Sequence, residues 1–173
     1  MSTRPVDKNH RPKTPDPAQP AAPSAFPWPP LIFLGAIAIA VLAPLQLPSP
    51  WLGRPLSDIL FAVGWLAVVA VVFIYVGAIR ALKRAKTTLR PDRPASHLVT
   101  SGPFAVSRNP LYLANTLLML ALSCISGNLW FIPMAIIAAF ATSKLAIEPE
   151  ERHLESRFGK HYRDYRKKVR RWI

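Results

Sequence analysis

The chain has 173 residues, 51% of them hydrophobic and 18% charged, with a net charge of +13. About a quarter of a soluble domain is usually charged, so the apolar residues exceed what one soluble core needs. The single cysteine excludes an internal disulfide and a cysteine metal cluster. The four histidines, none at ligand spacing, offer no zinc or other metal site.

Residues 1–30 hold nearly half of the 19 prolines, with Ser, Ala and charges between them. Such a stretch cannot bury enough apolar surface to fold, and the composition predicts a disordered cytoplasmic tail. Four apolar runs follow, and a helix needs about 20 residues to cross the hydrocarbon. They predict spans at about 31–47, 59–80, 111–126 and 129–147. The first run follows 30 residues of tail and ends at prolines rather than at a small-residue cleavage pattern, so it does not read as a signal peptide. Ser126-Gly127-Asn128 separates the last two spans, because Gly and Asn favour a tight turn. They therefore form a helical hairpin almost without a loop.

The cations are placed asymmetrically. They crowd the N-terminal tail, the 80–108 segment and the chain after Glu151, while the turn between the last two spans has none. The positive-inside rule then sets both termini in the cytoplasm, in a compact form that suggests a bacterial inner membrane. Orientation and attraction to anionic lipid account for the charge, so nucleic acid is not an expected partner. No obligate protein partner is evident.

Two cytoplasmic segments flank the hairpin. The first ends in Leu98-Val99-Thr100-Ser101-Gly102-Pro103-Phe104, then Ser107-Arg108-Asn109-Pro110-Leu111-Tyr112. Pro110 suits a first helical turn, and Ser107 or Asn109 can cap it. The second, 148–173, places Glu150 and Glu151 after Pro149, in what reads as the first turn of a new helix. Leu154, Phe158, Tyr162, Tyr165 and Val169 then recur at helical spacing among cations. This amphipathic segment either lies on the membrane or caps the bundle, and Gly159 breaks it. The fold expected is all-α and integral to the membrane, with about four transmembrane helices, a cytosolic-side pocket and a C-terminal amphipathic segment. The hairpin should bring 102–112 opposite 148–155.

These motifs, continued by Phe158-Gly159-Lys160-His161-Tyr162-Arg163-Asp164-Tyr165, resemble the isoprenylcysteine carboxyl methyltransferase family, which is related to the phospholipid N-methyltransferases. The resemblance covers roughly residues 85–172. It implies a membrane methyltransferase that uses S-adenosylmethionine, with a lipophilic substrate or lipid arriving from the bilayer. Carried over, Ser96, His97, Leu98, Val99, Gly102, Phe104, Asn109, Pro110, Leu111, Tyr112 and Glu150 are cofactor-binding. Phe104 stands where the family usually has Tyr, and Asn109 where it has His. Ala146 stands where prenylcysteine enzymes carry a substrate-binding Arg, with Lys144 the nearest cation.

The residues suit that cofactor chemically. Glu150 or Glu151 would hold its ammonium. Backbone N–H groups at the start of the third span would hold its carboxylate, helped by Arg108, and Phe104 and Tyr112 would pack on the adenine. Arg108 and Glu151 are the candidate catalytic residues, Glu151 as proton acceptor for an amine or thiol substrate. Two other readings compete: a sterol-type membrane reductase using NADPH, and a non-catalytic bundle.

Overall fold

The computed structural model describes residues 28–85 and 98–173. The tail through residue 27 and the predicted cofactor residues Ser96 and His97 lie outside the described residues. Everything described is helix, turn or irregular chain, without a strand. In chain order the helices are α1 (Trp28–Leu42), α2 (Leu56–Arg84), α3 (Pro110–Ser126), α4 (Phe131–Thr142), α5 (Glu148–Phe158) and α6 (Lys160–Lys168). Short 3₁₀ turns lie at Ala43–Leu45 and Gly102–Ala105.

Three helical runs are long and apolar enough to cross a membrane: Trp28–Leu45, Leu56–Arg84 and Phe131–Phe158. The first takes Pro29 and Pro30 into its opening turn, where a missing N–H breaks no hydrogen bond. At 1.5 Å per residue the 29 residues of α2 extend about 44 Å, well beyond a hydrocarbon layer of about 30 Å. They carry Lys83 and Arg84 out at the negative end of the helix dipole. The 17 residues of α3 reach only about 26 Å. Leu66 and Phe73 of α2 are 70% and 73% exposed. Large apolar side chains presented in such numbers suit lipid better than water.

α3 packs against both α2 and α4, and α1 lies against α4. Small residues allow these approaches. A Cβ at Gly64 of α2 would fall 2.6 Å from Cγ1 of Ile125 and 3.0 Å from the Ala121 carbonyl oxygen. In lipid, where apolar burial gives helices no net attraction, close backbone contact of this kind supplies much of the association. A polar pair adds to it, the Tyr75 hydroxyl donating to Oδ1 of Asn115. Phe33, Ala36 and Ala40 of α1 pack with Phe131, Ala135 and Ala138 of α4 around the fully buried Met119 of α3.

The hairpin turn forms because Gly127 takes φ +71°, a left-handed conformation that ends a helix at little cost for glycine. Asn128 then ties three elements together. Its Nδ2 donates to the Ala40 carbonyl at 2.7 Å, its Oδ1 accepts from Trp130 N at 3.0 Å, and its own carbonyl accepts from the Ser123 hydroxyl at 2.9 Å. Both long arms therefore return to the opposite end of the bundle.

At that end the structure departs from the sequence reading. α5 does not start afresh at Pro149. A π-helical turn at Ser143–Ile147 joins α4 to α5 without a break. Pro149 has no N–H for the Leu145 carbonyl, and its ring would crowd that oxygen in a regular α-helix. A wider turn just before it accommodates both problems. Gly159, at φ +51°, then separates α5 from α6.

Candidate functional site

The turn that leads into α3 is seated on α2. Gly102 adopts φ +64°, which favours glycine, and the space beside it is filled by Ala81. Pro103 presses on Gly77, where a Cβ would come within 2.9 Å of its Cγ. Phe104 is half-buried, and its carbonyl accepts a 2.6 Å hydrogen bond from the Tyr165 hydroxyl. Leu98 packs with Leu154 and Phe158 against the buried Tyr162, Tyr165 and Val169. The apolar stripe of the last helix is thus turned inward onto the protein. Of the two positions expected for it, the structure takes the cap, and the cations of α6 are left on the outside.

Pro110 opens α3, and Asn109 precedes it as the N-cap residue without capping through its side chain. That side chain turns away, donating from Nδ2 to the Arg171 carbonyl at 3.1 Å. Ser107, 1% exposed, accepts from Asn109 N at 3.1 Å and donates to the same carbonyl at 3.2 Å. The first amides of α3 are therefore left without a side-chain cap, a geometry that favours an anion.

Opposite that helix start stand the glutamates of α5. Glu151 receives Nη1 of Arg108 at 3.1 Å on Oε1. It also receives a two-pronged contact from Arg171, Nε at 3.2 Å and Nη2 at 2.7 Å. Glu148 pairs with Lys144 at 2.8 Å and more loosely with Arg171 at 3.7 Å. Glu155 pairs with Arg166 at 3.0 Å. Glu150 differs from all three. Among the described residues it has no cation partner, it is exposed where the Glu151 side chain is only 13% exposed, and it reaches the Tyr112 hydroxyl of α3. A carboxylate beside a phenol and an uncapped helix start can bind a cationic group and a carboxylate together.

The structure brings together Gly102, Phe104, Arg108, Asn109, Pro110, Leu111, Tyr112, Glu150 and Glu151 at one end of the bundle, with Leu98 packed against the cap and Val99, next in the chain, half-buried. Lys144, the cation nearest the position of the prenylcysteine-binding Arg, is engaged with Glu148. Sequence reasoning missed Arg171, which reads as one more cation in a basic tail. Tyr162 and Tyr165 read in the sequence chiefly as members of the apolar stripe. Both are buried, yet Tyr162 accepts from Nη1 of Arg108 at 3.2 Å. Burial, aided by the Glu151 carboxylate, pushes the Tyr162 phenol above the usual tyrosine range. Burial pushes Tyr165 up to about 12. The hydrogen bonds that Arg171 donates to Glu151 raise its guanidinium and hold it charged.

Comparison with known proteins gives a family for the same part of the chain. The phospholipid methyltransferase family matches residues 59–161, which contain most of α2, the turn, the hairpin and the glutamates. The chain belongs to the phospholipid methyltransferase family. This family is part of the isoprenylcysteine and phospholipid methyltransferase group to which the sequence resemblance leads. A Haemophilus influenzae protein described as uncharacterized is 40% identical over 63 residues, 36% of this chain and 100% of that relative. No solved structure matches the chain.

Proposed function

We propose that the protein is an S-adenosylmethionine-dependent methyltransferase embedded in the membrane, acting on a lipophilic small molecule or lipid. The observation that carries this reading is Glu150, an exposed residue without a cation partner among the described residues, its carboxylate placed against Tyr112 at the uncapped start of α3. In the full proposal α3 crosses as a fourth span, the termini lie in the cytoplasm, a reading the cation distribution supports, and the pocket opens on that side.

The cofactor supplies a methyl group on a sulfonium, already a good leaving group. The residues present fit it. Glu150 would bind the ammonium and the Leu111 and Tyr112 amides the carboxylate, with Phe104 and Tyr112 offering aromatic faces for the adenine. Asn109 and Pro110 set where α3 begins. Val99 and Leu98 wall the edge, and Gly102 allows the turn to lie close on α2. Methyl transfer is then chiefly a matter of alignment and exclusion of water. Both oxygens of Glu151 are contacted by guanidinium groups. In this proposal Glu151 and Arg108 hold the frame, and Glu151, three of whose acceptor positions are taken, has one left on Oε2 for the proton of an amine or thiol. A sterol-type reductase is not favoured by the family match.

Calorimetry on the detergent-purified protein tests the reading. S-adenosylmethionine should bind and NADPH should not. Glu150→Ala should weaken binding by about a hundredfold and Tyr112→Phe by about tenfold, as expected for a charge-assisted and a single hydrogen bond. Glu155→Ala, on an exposed ion pair, should change nothing. Binding of NADPH alone, or S-adenosylmethionine binding indifferent to Glu150, would sink the proposal.

A further inference from the structure

After α6 the chain turns extended at Val169, with φ −121° and ψ 129°, and runs back across the mouth of the site. Its carbonyls face the turn before α3. The Arg170 carbonyl accepts from Arg108 N at 3.0 Å. The Arg171 carbonyl accepts from both the Ser107 hydroxyl, at 3.2 Å, and Asn109 Nδ2, at 3.1 Å. The side chain of the same Arg171 points the other way, into the start of α5, where its fork closes on both oxygens of Glu151. Arg171 thus bridges the two segments that carry Tyr112 and Glu150, one through its main chain and the other through its guanidinium.

The end of the strap is partly exposed. Its side chain at Arg171 is 33% exposed, and Ile173 beyond it is 73% exposed. Without the Arg171 guanidinium, the turn would be joined to Glu151 of α5 by Arg108 alone, and the strap that accepts from Ser107 and Asn109 would lose its own hold on α5. A bidentate guanidinium fixes both distance and angle between two planar groups. A lysine ammonium fixes neither.

We propose that Arg171 is a positioning residue of the methyl-donor site, holding the 107–109 turn and α5 at the separation that lets Tyr112 and Glu150 face one ligand. The proposal rests on the methyltransferase reading for its ligand, but the brace itself can be observed without one.

The test uses the full chain in detergent as wild type, Arg171→Ala and Arg171→Lys. Hydrogen exchange should show residues 107–112 opening about tenfold faster in Arg171→Ala, with α1, α2 and α4 unchanged. S-adenosylmethionine affinity should fall about tenfold in the same variant and recover only in part in Arg171→Lys. Should Arg171→Ala fail to fold, Arg171→Lys decides: its ammonium cannot reproduce the two-pronged contact, so exchange at 107–112 should still be faster than in wild type, and wild-type exchange there overturns the brace. Ligand binding and exchange at 107–112 that are both indifferent to Arg171→Ala overturn the brace and leave the methyltransferase reading standing. Faster exchange at 107–112 in a protein whose wild type binds no S-adenosylmethionine supports the brace and overturns that reading.

Discussion

Gly77 and Pro103 are in direct contact, such that a Cβ on Gly77 would lie 2.9 Å from the proline Cγ. This is where the turn before α3 is set down on α2. Through it a residue in a long apolar helix, with no polar atom in its side chain, governs the height of Phe104 and the start of α3.

Gly77→Val should therefore displace the turn rather than unfold the bundle. Overpacking of this kind costs about 1–3 kcal/mol. The expected result is a folded protein with weakened ligand binding and faster hydrogen exchange at 102–109. Gly35→Val is the control, because nothing lies within 4 Å of its Cβ position. Equal behaviour of the two variants would show that the contact does not position the turn.

Asn128 should matter for stability and not for binding. Asn128→Ala removes its bonds to Ala40 and Trp130 at the end of the bundle opposite the glutamates. Loss of two such bonds should lower stability by about 1–3 kcal/mol. Denaturant titration in mixed micelles would measure it, and ligand affinity in the folded protein should stay as in wild type. A variant as stable as wild type would refute the role given to this side chain.

The cap should loosen at high pH. Tyr165 ionises at about 12 when folded, above its ordinary value of about 10. Between those values the folded state holds a proton that the unfolded state has lost, so stability is unaffected below pH about 10 and falls as pH rises towards 12. Tyr162, also raised, adds to the same trend. A tyrosinate absorbance titration with hydrogen exchange at 160–169 would follow the change. Tyr165→Phe should flatten it, and an unchanged alkaline loosening in that variant would contradict the assignment.

Much of this molecule is legible one segment at a time. The run Leu111–Ser126 and the turn at Gly127 require only local hydropathy and the freedom of glycine at positive φ, so the hairpin can be read directly. Pro149 misleads for the same reason. Locally it is a good helix start, and only the π turn before it lets one continuous helix carry it. The Leu154–Val169 stripe announces an amphipathic helix but not its neighbour. Lipid and Leu98 are equally acceptable to an apolar face, and tertiary packing chooses Leu98.

The sequence by itself determined the helical, apolar character of the protein, the tight turn at Gly127, and the two polar segments where chemistry had to be sought. Those are consequences of side-chain hydropathy and backbone freedom, which act over a few residues. Only the tertiary structure decided that Glu151 is ion-paired while Glu150 has no cation partner among the described residues, and that Arg171, among the many cations after Glu151, makes the bridge. Charge attraction is long-ranged and unselective along a chain, so adjacent glutamates look alike until folding assigns each its partners.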